Sequence, residues 1–210
     1  MAYRSYVRLA CVAALALSAC ASDSGEPSID EVRSIAERYR DVNVAKAEGY
    51  TTDNKCVTAE MLGFPAEMGA MGLHYVRRDM LGLPPKPPAK QVGRVSGTGT
   101  HTDFRKPAIL IYEPRADGTL ELVAVENLVF RKAWHAAGNK RPPTFHGVEY
   151  DAMSDDPKTE IDEAHMFEPH YDRHVWVHRD NPNGVFAQFN PTVTCKRNTA
   201  SSGGGHSMSH

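Results

Sequence analysis

The sequence predicts an α+β domain in which a long N-terminal helix packs on a curved, mainly antiparallel β-sheet. Three patterns predict it: apolar residues at helical spacing between residues 27 and 50, two β-rich runs joined by an Asp-Gly turn at 108–130, and a final alternating run at 171–178. Apolar residues occupy both faces of the second β-rich run, so we expect a further layer to cover the sheet.

The first predicted element is the helix. Ser28 and Glu31 have the spacing of a capping box, and Gly49 stands where a helix is expected to end. The apolar stripe between them consists of Ile29, Val32, Ile35, Tyr39 and Val42. The segment therefore predicts one uninterrupted helix that buries this stripe and exposes its charged face.

The strands follow in chain order. Residues 73–78 predict a short strand, and residues 84–106, rich in Pro, Gly, Ser and Thr, predict a long surface excursion. The turn at 115–118 closes a hairpin because Asp-Gly adopts the backbone that tight hairpins need. Residues 171–178 form the last predicted strand, on which His174, Trp176 and His178 share one face.

The chain begins with a pattern typical of an export signal. Arg4 and Arg8 precede an apolar run at 9–17 that is too short to span a membrane. The sequence LSAC, which ends at Cys20, resembles the bacterial lipoprotein signal. That resemblance implies a signal peptide at 1–19, a lipid anchor on Cys20 and a location in the outer membrane facing the periplasm. The alternative is an ordinary signal peptide that ends in Ala-Cys.

The rest of the chain divides into a tether at 20–28, a single globular domain at 29–198 and a flexible tail at 199–210. The formal net charge of −2 and the lack of a basic stripe argue against nucleic acid as a partner. Cys56 and Cys195 are the two thiols left after export and lipidation, and such a pair predicts a disulfide bond. A metal site made of Cys and His is the alternative, but no CxxC spacing supports it.

The candidate ligands for a metal come from separate strands. The sequence contains no motif for nucleotide binding, serine hydrolysis, zincin chemistry or an EF-hand. It does place His74, Glu126 and His174 on different predicted strands, with His178 as a weaker fourth candidate. Two imidazoles and one carboxylate are ligands that zinc and iron(II) prefer, so the cofactor predicted is a divalent metal of this kind.

A structural role for the same residues is the alternative. A strand histidine is often satisfied by a backbone carbonyl, and a buried glutamate by an arginine. The arginines close enough in sequence to pair with Glu126 are Arg77, Arg78, Arg131 and Arg173. His165 and His170 fall in a predicted loop, where a solvated histidine is commoner than a ligand, although the pair could join the site from above.

Several separated motifs resemble one family. They are MGLHYV at 71–76, YEP at 112–114, VAVE at 123–126 and HVWVHRDNPNGVFAQFNPTVTC at 174–195. In this order they resemble a family of uncharacterised bacterial secreted proteins and lipoproteins with the pattern MGxHYV, YEP, VAVE and HVWxxxxNPxGxFxxxNPxVxC. The resemblance covers most of residues 30–195 and implies export but no activity. His74, Glu126, His174 and both cysteines match this pattern, whereas His178 stands where the family has an aromatic residue.

Three functions stay open at this point. The first is a lipid-anchored binding module of the cell envelope that holds a divalent metal or a small-molecule ligand. The second is a metal-dependent enzyme that uses the same His/Glu cluster, and the third is a structural envelope protein without a ligand. An enzyme needs a cleft and an open coordination position, which the sequence alone does not establish.

Overall fold

The computed structural model describes residues 25–87 and 92–199. The predicted signal peptide at 1–19, the lipidation site Cys20, the tether as far as residue 24 and the tail from residue 200 lie outside the described residues. Within the described ranges, no helix combines the length and the apolar character that a membrane span needs.

A seven-stranded antiparallel sheet forms the centre of the domain. Its strands are β1 (Tyr50–Thr51), β2 (Cys56–Thr58), β3 (Ala70–Arg77), β4 (Ile109–Pro114), β5 (Leu120–Phe130), β8 (Asp151–Met153) and β9 (His170–Trp176). The order across the sheet is β1-β3-β4-β5-β9-β8, and β2 also pairs with β3. A separate two-stranded hairpin consists of β6 (Thr144–Phe145) and β7 (Val148–Glu149). The hairpin predicted from the Asp-Gly pair joins β4 to β5.

The prediction of one long N-terminal helix is wrong. The segment forms α1 (Ile29–Ala36), a four-residue 3-10 turn (Glu37–Arg40) and α2 (Val42–Ala47). The capping box at Ser28 forms, but Asp41 takes an extended backbone (φ −85°, ψ 104°) and its carboxylate accepts a hydrogen bond from Asn43 N at 2.9 Å. Asp41 therefore caps a second short helix, because an aspartate side chain competes with the helical hydrogen-bond pattern. Two further 3-10 turns (Glu60–Leu62 and Ala66–Met68) lie between β2 and β3, and a third α-helix, α3 (Arg131–Ala136), follows β5.

The sheet is buried on both faces by different kinds of structure. The helix face packs against α1, the 3-10 turn and α2 through a core that includes Val32, Tyr39, Tyr75, Tyr112 and Val125. The opposite face, which we call the loop face, carries Ile109, Ile111, Ala124, Leu128 and Phe130. Burial of both faces of β5 explains its nearly continuous apolar sequence.

Two loop segments cover the loop face. Part of the predicted surface excursion packs against the sheet, since a Cβ added at Gly97 would lie 2.7 Å from the ring of Phe130. Val95 N donates to Met166 O at 2.7 Å and Glu168 N donates to Val95 O at 2.8 Å, so the excursion pairs with the segment that precedes β9. Arg94 strengthens this contact through ion pairs with Asp155 and Asp162. The excursion is therefore a covering layer as well as a surface loop.

The structure contains the predicted disulfide bond between Cys56 and Cys195. The bond joins β2 to the C-terminal segment, with the two Cα atoms 5.6 Å apart and the cysteines separated by 139 positions in sequence. Beside it, Asn190 and Ala70 exchange two backbone hydrogen bonds, of 3.1 and 3.2 Å. The C-terminal segment is thus held to the edge of the sheet by a covalent bond and by backbone pairing.

Removal of the disulfide bond should destabilise the domain strongly. Because the bond closes a very long loop, the chain-entropy account predicts that a Cys56→Ala/Cys195→Ala variant loses about 3 to 5 kcal/mol of unfolding free energy. Urea denaturation measures this loss, and wild-type protein under reducing conditions is the matched comparison. Equal urea midpoints for the oxidised wild type and the double variant would contradict the prediction.

Candidate metal centre

Three strands bring the predicted ligands to the loop face. Glu126 on β5 lies directly opposite His174 on β9 in the antiparallel register. His74 lies on β3, where it pairs with Ile111, and β4 separates it from β5. Because side chains alternate along each strand, all three side chains point to the same face of the sheet.

The ligand atoms of His74, Glu126 and His174 converge. His74 Nε2 lies 3.3 Å and His174 Nε2 lies 3.6 Å from Glu126 Oε2, and all three ligand atoms are within 4.8 Å of one another. Two ligands bound at about 2.1 Å to a tetrahedral ion are separated by about 3.4 Å. The three residues therefore form a group that could hold a metal ion.

The group is buried and its polar atoms lack ordinary partners. The side chain of His174 is 0% exposed and that of Glu126 is 3% exposed, while 18% of the His74 side chain reaches solvent. Among the described residues, Glu126 Oε2 and both ring nitrogens of His174 have no hydrogen-bond partner. Each unpaired buried group costs about 1 to 3 kcal/mol, so an ion at this position would relieve several such penalties.

Glu126 also controls the charge of His74. Burial by itself would lower the pKa of His74. The adjacent Glu126 carboxylate outweighs burial, with smaller contributions from Asp53 and Asp172, so the pKa of His74 is raised. In the absence of a metal, the group thus favours a protonated His74 beside the carboxylate. A metal ion would take the place of that proton.

The four arginines near these strands in sequence have other partners. Arg77 pairs with Asp79, and Arg78 donates to Pro84 O. Arg131 lies over the ring of Tyr171, and Arg173 pairs with Asp151. Arg173 alternates with His174 on β9 and so projects to the helix face. In the part of the chain that the structure describes, the ion pairs of Glu126 are with the two histidines.

His178 does not join the group. β9 ends at Trp176, so the alternation that was predicted to place His178 beside His174 does not continue. His178 Nε2 instead lies 3.7 Å from Glu37 Oε2 in the 3-10 turn. Trp176 does remain beside the site, with its ring 6.4 Å from that of His174 and its Nε1 donating to Ala187 O at 2.6 Å.

Two polar residues extend the site along β9. His170 and Asp172 alternate with His174 on the loop face and are buried, with His170 Nε2 3.7 Å from Asp172 Oδ2. Burial alone would raise the pKa of Asp172, but the contact with His170 and the charge of His174 outweigh it, so the pKa is lowered. The sequence analysis missed Asp172 and placed His170 in a loop, although the spacing His-x-Asp-x-His on a strand indicates one shared face.

His165, in the segment before β9, has a buried ring nitrogen. Its Nε2 is buried without a hydrogen-bond partner among the residues described. Burial lowers the pKa of His165 to about 3, and the nearby charge of His74 contributes to this shift. His165 was named as a loop histidine that could join the site from above, and its buried nitrogen shows that it is not a solvated residue.

Comparisons with protein-family models, with curated proteins and with solved structures give no match for this chain. The resemblance to bacterial secreted proteins and lipoproteins therefore stays a prediction. The functional argument depends on the geometry of the site.

The low pKa of His165 predicts a specific pH dependence of stability. The folded chain binds a proton at His165 only near pH 3, whereas the unfolded chain binds one near pH 6.5. Stability is therefore present above pH 6.5 and is lost as the pH falls towards 3. His165→Gly should remove up to about 2 kcal/mol of the decrease in unfolding free energy between pH 7 and pH 5.

Urea unfolding in the presence of a chelator measures this difference. Glycine suits the left-handed backbone of residue 165 (φ 53°), and Met166 (φ 67°) allows a matched Met166→Gly control without loss of an imidazole. The control should keep the wild-type pH dependence. The same pH dependence in the His165→Gly protein would contradict the prediction.

Proposed function

We propose that this protein is a binding module for a divalent first-row metal ion, such as zinc or iron(II), held by His74, Glu126 and His174. The observation that carries the proposal is the convergence of three ligand atoms on a buried point where Glu126 Oε2 and the ring nitrogens of His174 have no hydrogen-bond partner among the described residues. A group that served packing alone would be expected to pair His174 Nδ1 with a backbone group as well, whereas this nitrogen has no partner among the described residues.

The donor set supports this choice of metal. Two imidazole nitrogens and one carboxylate oxygen suit zinc and iron(II), and the group offers no thiolate or thioether that would favour copper(I). The ion would neutralise the buried Glu126 carboxylate, which otherwise depends on protonation of a histidine. Metal binding should therefore release a proton from His74 and weaken as the pH falls.

Burial of the group favours binding over catalysis, because the side chains of Glu126 and His174 are 3% and 0% exposed. Two surface cavities lie away from the group, one at the β4–β5 turn beside Arg115 and the other beside Pro27 and Phe104. A metal-dependent enzyme is the second candidate, and the partial exposure of His74 favours it because one edge of the site faces solvent. An enzyme would still need a substrate-sized cleft at this edge.

The proposal includes export and lipid anchoring in the cell envelope. The apolar run at 9–17 and the LSAC sequence that ends at Cys20 support it. The disulfide bond supports it as well, since such bonds persist in oxidising compartments. Glu26 contacts the domain, since its carboxylate accepts a hydrogen bond from His146 N at 2.9 Å. A tether from Cys20 to Glu26 spans at most about 20 Å, so the domain would lie close to the membrane surface.

Metal analysis of the untagged mature chain tests the binding proposal. After dialysis against zinc, the wild type should retain one equivalent, and Glu126→Gln and His174→Ala should each lower the affinity at least about a hundredfold because a ligand is lost. The tail histidines His206 and His210 are the same in every variant, so their background binding cancels. His178→Ala is the control and should bind as the wild type does. Less than a tenth of an equivalent in the loaded wild type would overturn the proposal.

Membrane fractionation tests the anchoring proposal separately. Cys20→Ala should move the protein from the membrane fraction to the soluble fraction of the envelope, because the acyl chains supply the membrane affinity. Wild-type protein expressed in the same cells is the comparison. Continued membrane attachment of the Cys20→Ala protein would contradict lipidation at this cysteine and would leave the metal site unaffected.

A further inference from the structure

We propose that His165 supplies a fourth protein ligand to the ion held by His74, Glu126 and His174, so that the segment at 154–169 closes the site. This inference depends on the proposed metal-binding function. It changes the nature of the site, because three protein ligands leave a coordination position open for a substrate, whereas four close it and suit storage, transfer or a structural role.

The position of the segment is the first argument. The ring of Phe167 lies 5.9 Å from that of Phe130 and 5.7 Å from that of His170, which form a register pair on the loop face. The Glu126–His174 pair lies further along the same two strands. The segment at 154–169 therefore rests on the face that carries the metal group, and His165 lies two residues before its anchor.

The second argument is the buried nitrogen of His165. A histidine in a surface segment can ordinarily turn its ring towards water, yet His165 keeps Nε2 buried and without a hydrogen-bond partner among the described residues. This arrangement costs about 1 to 3 kcal/mol unless something binds the nitrogen. Burial, followed by the charge of His74, lowers the pKa of His165, in keeping with a ring that faces the metal group.

The third argument is the backbone that holds the ring inward. His165 and Met166 both adopt left-handed conformations, with φ 53° and 67°, which are uncommon for residues other than glycine. The turn is fixed by Asp162, whose backbone oxygen accepts from His165 N at 3.2 Å and whose side chain accepts from Met166 N at 2.8 Å. Asp162 is fixed in turn by Arg94 at 3.0 Å. The segment is thus built to keep His165 directed at the sheet.

Asp172 is the competing fourth ligand, and its contacts favour His165 instead. Asp172 Oδ2 lies 3.7 Å from His170 Nε2, so the carboxylate has a partner of opposite charge, although its Oδ1 is buried without a hydrogen-bond partner among the described residues. His165 Nε2 is buried without a hydrogen-bond partner, and His165 forms no ion pair among the residues described. The three ligand atoms that lie within 4.8 Å of one another define the position of the ion. His165 lies outside this group, so it completes the set by an inward movement of the segment as the ion binds.

Cobalt(II) substitution of the mature chain tests the assignment. Four-coordinate tetrahedral cobalt absorbs visible light far more strongly than five- or six-coordinate cobalt, so the wild type should show an intense visible band. His165→Gly should retain cobalt with a shifted visible spectrum, because water takes the place of an imidazole nitrogen. Its affinity for zinc should fall at least about tenfold, since even the loss of an outer partner of a ligand has an effect of that size. Met166→Gly, which makes the same backbone change, should behave as the wild type.

The outcomes separate this inference from the proposed function. A wild type that binds zinc and cobalt while His165→Gly matches it in affinity and absorption would overturn the fourth-ligand assignment and leave the metal site in place. An equal loss in Met166→Gly would also overturn it, because the effect would then come from the backbone. A wild type that binds neither metal would overturn both proposals.

Discussion

The antiparallel register between β5 and β9 is the constraint on which the site depends. Seven residue pairs run from Ala124–Trp176 to Phe130–His170, and they set Glu126 opposite His174. A slip of one residue in either strand would turn one of these side chains to the helix face, because side chains alternate with a period of two. The apolar residues on both faces of β5 oppose such a slip, so the same packing that stabilises the core also fixes the separation of Glu126 and His174.

The two faces of the sheet divide stability from chemistry. Helices cover one face through aromatic and aliphatic contacts, while the polar row of His170, Asp172 and His174 lies on the other face under loops. Loops can present single side chains to a buried point at angles that a helix does not offer, and they can move without breaking the central strands. The rigid strands thus position the first ligands, and the covering segments decide how accessible the site is to solvent.

The sequence indicated much of this arrangement, and its failures have physical causes. The Asp-Gly hairpin and the cysteine pair depend on local backbone chemistry and on compartment, and both appear in the structure. The grouping of His74, Glu126 and His174 followed from the alternation of strand residues. The prediction of one long helix failed because Asp41 caps a second short helix. The prediction that His178 lies beside His174 failed because β9 stops at Trp176. The burial of His165 Nε2 had no local signal, because the segment that carries it is held by Arg94 and Val95, which contact Asp162 and Met166 from about seventy residues away in the chain.

The position of the disulfide bond has a consequence for the durability of the site. His74, Glu126 and His174 all lie within the covalent loop that Cys56 and Cys195 close. A single proteolytic cut anywhere inside that loop would leave two fragments joined by the sulfur bridge, and the strands would stay paired across the cut. A nicked molecule would therefore keep His74, Glu126 and His174 together, so that loss of chain continuity would not by itself disperse the group.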